Sequence, residues 1–191
     1  PEGVALQKLP SLDLFAQPLL GRYALRPRHL KSWTDTAEYF GHVSGKFMEP
    51  WSFGRRAATW LGGHRDDFDV VLDNQCLADG LIDIDAHLPV VAVIHHPSRR
   101  DLEMQLAAEP DWKKRLLTRR WYGFLPMQER VARQLQNIVT VSSASARRLS
   151  SGSITVKRVR STFRWRRISG RVPRPMVPKP IITIGPSMRP C

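Results

Sequence analysis

Three short apolar runs constrain the fold of this chain more than any other feature. They are "FDVVLD" (Phe68–Asp73), "LPVVAVI" (Leu88–Ile94) and "NIVTV" (Asn137–Val141), and polar residues follow each one at once. Runs this short, apolar without alternation, suit strands buried on both faces, the condition of strands in a parallel sheet. Parallel neighbours need a crossover between them, and a helix usually supplies it. Here "CLADGLIDI" separates the first two runs as a short helix. A long helical tract separates the second from the third. The expected fold class is α/β: a Rossmann-like, doubly wound parallel sheet with helices on both faces.

The long tract has two parts. "SRRDLEMQLAAE" is rich in helix formers and stops at Pro110. "DWKKRLLTRRWYGFLPMQERVARQL" then places Trp112, Leu116, Leu117, Trp121, Phe124 and Leu125 on one stripe, which is expected to pack on the sheet. Lys113, Lys114, Arg115, Arg119 and Arg120 make the same helix strongly basic. Its other reading is a helix at an anionic membrane surface. Pro126 kinks or restarts the helix. Upstream, residues 1–50 read as loop-rich. "GVALQKLPS" is a candidate edge strand and Thr36–Val43 a short helix. A further helix is expected from Ser52 as N-cap to Gly62–Gly63 as C-cap.

Charge divides the chain. The net charge is +13, yet residues 1–129 hold 16 Lys/Arg against all 17 Asp/Glu, a net of −1. Residues 130–191 hold the other 14 cations and no acid. The basic excess belongs to one end, which argues against a nucleic-acid-binding role for the folded part. The expected domains are therefore 1–150, folded, and 151–191, a basic Arg/Pro-rich tail, disordered or poorly folded. The abrupt change after about Leu149 is also what out-of-frame reading would give. "PIITIG" within the tail has strand character but no evident partner. Two cysteines, Cys76 and Cys191, make neither a disulfide framework nor a metal motif, so no metal is expected and a reducing compartment is. The chain shows no signal-peptide pattern, and no apolar run approaches the roughly 18 residues of a membrane span. The expected location is cytoplasmic, including the inner face of the cytoplasmic membrane.

In parallel α/β sheets ligands bind beyond the carboxyl ends of the strands. The strand ends here carry Asn74 and Gln75, His95 and His96, and Ser142 and Ser143. Asn74 and Gln75 are amides suited to sugar hydroxyls, though Asn also serves turns. Ser142 suits a helix N-cap as well as a ligand contact. Arg99 and Arg100 stand where they would meet an anionic acceptor or open a solvated helix. Two adjacent histidines without a carboxylate or Cys at ligand spacing do not make a metal site.

The order "FDVVLDNQ…LPVVAVIHHP…RRWYGFLPMQERVARQLQNIVTVSSASARRL" resembles the amino-terminal, acceptor-side domain of family 4 glycosyltransferases, retaining enzymes of the GT-B class, from about Phe68 to Leu149. The resemblance implies a cleft between two Rossmann-like domains, with a nucleotide sugar as donor substrate and no further cofactor. It implies a glycan or lipid-linked acceptor, with peripheral membrane contact where the acceptor is a lipid. On this pattern His95 falls on the family's histidine near the transferred sugar and is the candidate catalytic residue. His96 stands where Asp is common, Ser142 on the Ser of "TVSE" and Ser143 on its Glu. Leu72 replaces a frequent His. The donor domain's pair of glutamates eight residues apart is absent, since Glu occurs at 2, 38, 49, 103, 109 and 129. The chain thus reads as an internal, incomplete part of a transferase, not expected to turn over alone. Two other classes remain open: a nucleic-acid-binding protein acting through its tail, and a non-catalytic sugar-binding remnant.

Overall fold

The computed structural model describes residues 6–17, 24–95 and 98–140, together with the backbone of two short strands at 159–160 and 181–184. Two helices come first, α1 (Trp33–Val43) and α2 (Glu49–Gly62). Ser32 caps α1, its hydroxyl accepting from the Asp35 amide at 3.2 Å. α2 starts three residues earlier than the Ser52 cap expected from sequence. Pro50 sits in its first turn, where a missing N–H costs nothing, and Ser52 is inside the helix, donating to the Glu49 carbonyl. Arg56 of α2 reaches Asp35 and Glu38 of α1 at 2.5 Å each, tying the two helices together.

The alternation expected after Phe68 is present. β1 (Val70–Asn74), α3 (Gly80–Asp85), β2 (Val90–Ile94), α4 (Ser98–Ala108), α5 (Trp112–Trp121), α6 (Leu125–Gln134) and β3 (Asn137–Thr140) follow in order. α5 is capped by the Asp111 carboxylate, and Pro126 starts α6 after a short 3-10 turn at Tyr122–Phe124. β1 pairs with β2 and β2 with β3, all parallel, with Val71 opposite Val90 and Ala92 opposite Ile138. This is the partial Rossmann-like α/β domain that the sequence predicts.

Two sequence expectations need correction. "PIITIG" has a partner: β5 (Ile181–Ile184) pairs parallel with β1, Val70 opposite Ile181. With β4 (Val159–Arg160) on β3, the sheet order is β4-β3-β2-β1-β5, so β1 is an interior strand. A local reading finds no partner for β5 because β1 lies more than a hundred residues away along the chain. Second, the described part of "GVALQKLPS" forms no strand, and the first regular turn is a 3-10 turn at Leu14–Ala16.

The core lies on one face of the sheet. Val71, Val90, Ala92, Ile94 and Ile138 pack there with Leu61, Leu81, Ile84, Leu88, Val131, Ala132 and Leu135. The residues alternating with them, Val70, Leu72, Val91, Val93 and Val139, are partly exposed and stand outside that cluster.

Backbone contact between α2 and α3 sets how the core closes. A Cβ at Gly54 would lie 2.2 Å from the Ala78 Cβ, and one at Gly80 would lie 2.2 Å from the Gly54 carbonyl oxygen. Only residues without a side chain let the two helices approach this closely. Gly80→Ala is expected to lower stability by about 1–3 kcal/mol through overpacking, despite alanine's better helix propensity. Gly62→Ala, with nothing within 4 Å of its new methyl, is expected to be neutral or stabilising. Denaturant unfolding of both variants checks the contrast. Equal effects would remove the close approach as the cause.

Candidate functional site at the strand ends

The site begins with a buried acid. Asp73 is the penultimate residue of β1, fully buried, and its carboxylate points along the chain. One oxygen accepts from the Cys76 amide at 3.2 Å, the other from the Leu77 amide at 3.1 Å. This closes an Asx-type turn immediately after the strand. The turn forces Gln75 to φ 60° and Leu77 to φ 46°, conformations that side-chain-bearing residues seldom adopt without support. Gln128, on α6, braces it from below, its amide nitrogen donating to the Cys76 carbonyl at 3.1 Å. The Cys76 thiol is buried and donates to the Pro50 carbonyl at 3.6 Å, and burial pushes it up, with the Asp73 charge adding to the effect. It is a packed thiol, far from a thiolate nucleophile.

The turn delivers two amides to the end of β2. The Gln75 side-chain oxygen accepts from the His95 backbone amide at 2.7 Å. The Asn74 side-chain oxygen contacts the His95 ring at Nε2, 2.5 Å away. With an oxygen as partner, Nε2 is the donor in this contact. His95 is therefore held twice, by its backbone and by its ring, while it stays exposed. The Asp73 carboxylate closes the turn, and the side chains of Asn74 and Gln75 reach His95 instead of capping the helix that follows.

The remaining sequence candidates fall less centrally. Arg99, in the first turn of α4, is half-exposed and paired with Glu129 of α6. Ser98 beside it receives a long contact of 3.5 Å from the Gln75 amide. His96, Ser142 and Ser143 lie outside the described residues. Sequence reasoning passed over Asp73 and Gln128. An acid ending an apolar strand just before Asn is the signal that would have found Asp73. Nothing in the local sequence marks Gln128, which reaches the turn from α6.

The sheet is parallel and Rossmann-like, and Asn74, Gln75 and His95 gather at its carboxyl end, the side on which parallel α/β sheets generally hold ligands. Over 151 residues the chain is 50% identical to the MMP alpha-(1->4)-mannosyltransferase of Mycolicibacterium hassiacum, a match that takes in 76% of this chain. The chain spans 36% of the length of that curated relative. No protein-family model matches it.

Burial raises the Asp73 carboxyl to about 7, and the Leu77 and Cys76 amides offset this only in part. Between the unfolded value near 4 and the folded value, the folded state holds the extra proton. Stability tied to this group is thus complete at the acid end and is lost as pH rises through about 7. The loss should be on the order of a few kcal/mol between about pH 4 and 7.5. Asp73→Asn should flatten that part of the stability–pH curve. Urea unfolding of both proteins across the window checks it, and identical slopes would exclude Asp73 as the source.

Proposed function

We propose that this chain is the acceptor-side part of a family 4, GT-B, retaining glycosyltransferase. Its parent enzyme transfers a hexosyl unit, mannose by the relative's name, from a nucleotide sugar to a glycan or lipid-linked acceptor. The observation that carries the reading is the 50% identity to a mannosyltransferase. The strand-end geometry supports the roles proposed for the residues.

In such a transfer an acceptor hydroxyl attacks the anomeric carbon as the nucleoside diphosphate departs. Positive charge grows on the sugar ring and negative charge on the diphosphate. The protein must orient the acceptor and meet those charges. His95 is suited to the first task. Its ring is fixed through Nε2 by Asn74, which leaves Nδ1 to hydrogen-bond a sugar hydroxyl. Gln75 fixes the backbone that carries the ring. His96, Arg99 and Ser142 complete the proposed substrate contacts, with Arg99 releasing Glu129 to meet an anionic acceptor group. On this reading the cations that would hold the diphosphate belong to a donor side outside this chain, which spans 36% of the relative's length. The sugar-binding remnant without catalysis shares this geometry and differs only in the absence of turnover by the parent enzyme.

The purified 191-residue chain is expected to bind a mannose-containing oligosaccharide without hydrolysing or transferring from a nucleotide sugar. His95→Ala should weaken that binding about tenfold, the cost of one well-made hydrogen bond to a sugar hydroxyl. Calorimetry with product analysis reads both parts. Unchanged binding by His95→Ala removes the histidine from the site, and turnover by the chain alone overturns its incompleteness.

A further inference from the structure

The composition and position of α5 disagree. Its sequence "WKKRLLTRRW" holds four large apolar residues and five cations with no acid. The stripe was expected to pack on the sheet, but no residue of α5 is buried. Trp112 is 69% exposed, Leu116 57%, Leu117 58% and Trp121 38%. The reason lies at the two ends of the helical tract. α6 supplies the core residues Leu125, Val131 and Ala132, so the crossover already has its inward-facing helix. α5 instead docks by its carboxyl end on the first part of the chain. Trp121 stacks on Phe47 and meets Phe15 edge-on, and Arg120 donates to the Ser44 carbonyl. Leu117 lies beside Gly45, and Val43 and Phe40 of α1 are exposed just before that junction.

We propose that this α5 surface rests on an anionic lipid bilayer. Lys113, Lys114, Arg119 and Arg120 are exposed, and none forms an ion pair with another described residue. By helical spacing Lys113 and Arg120 fall between Leu116 and Leu117 around the helix, so cations and apolar groups share one side. A polypeptide partner would have to bury those cations. At a bilayer interface their long stems lie along the apolar groups while the charged ends reach lipid phosphates, and Trp112 at the undocked end sits at headgroup level. Trp112 offers a ring to a base, but Leu116 and Leu117, the centre of the exposed surface, offer none, which favours lipid over single-stranded nucleic acid. Among the described residues no helix is long and apolar enough to cross a membrane, so the contact is peripheral. It stands independently of the transfer reading.

The experiment is co-sedimentation of the full 191-residue chain with vesicles of phosphatidylglycerol and phosphatidylcholine, or of phosphatidylcholine alone. The chain should partition onto the anionic vesicles, and the double variant Leu116→Ser with Leu117→Ser should lower that partition by about tenfold or more. Both leucines are exposed, so thermal unfolding of the variant should match that of the parent. Undiminished partition by the double variant would assign binding to the basic residues 130–191 and overturn the proposal. So would equal binding to neutral vesicles, or a dimer of the parent in light scattering that the double variant dissolves. Loss of oligonucleotide binding in the variant, with vesicle binding intact, would overturn it in favour of a nucleic-acid surface.

Discussion

The candidate site depends on the Asp73 carboxylate. It is buried at the end of an interior strand, where among the described residues the amides of Cys76 and Leu77 bond it and no cation pairs with it. An isolated charge there is costly, which is why its proton is held to about neutral pH. The return is geometric. Two amides tied to one side chain keep Gln75 and Leu77 in the left-handed region, and from there the Gln75 side chain meets the His95 amide. Asn74 points to the same ring from the last position of the strand. A strand continuing straight past Asn74 would carry these amides away from β2. The exposed histidine is therefore positioned through a turn held by a group that is itself buried.

The platform beneath this turn is made by close backbone contact rather than by large side chains. Gly54 and Gly80 bring α2 onto the start of α3, and Arg56 binds α2 to the acids of α1. Gln128 then links α6 to the turn carbonyls. Helices from both sides of β1 in sequence thus converge on the residues between β1 and α3. This convergence accounts for a short, half-irregular α3: the segment Cys76–Ala78 is committed to the turn and to packing before a helix begins at Gly80.

Much of this was legible beforehand. The three apolar runs predicted β1, β2 and β3 because a strand without polar alternation has few other places to sit. Their polar endings predicted which residues would gather, since parallel strands end on one side of their sheet. Asn74, Gln75 and His95 do meet there. What stayed hidden depended on distance along the chain. The partner of Ile181–Ile184 is β1, and the brace on Cys76 comes from Gln128, neither of which local pattern encodes. The α5 stripe misled for a related reason. Apolar spacing reports that a helix has a face to cover but not what covers it, and α6 had already taken the place on the core.

By itself, then, the sequence determined the alternation of strands and helices from β1 to β3, the parallel class of the sheet and the gathering of Asn74, Gln75 and His95 at its carboxyl end. These follow from periodicity and from the fixed geometry of a crossover, which act over a few residues. Only the tertiary structure decided that Asp73 would brace the turn, that Nε2 of His95 would face Asn74, and that α5 would lie outside the core. Each of those depends on which groups from distant segments reach the same few ångströms. Burial, backbone approach and competition for one core surface settle that, and none of them is a property of a local stretch of chain.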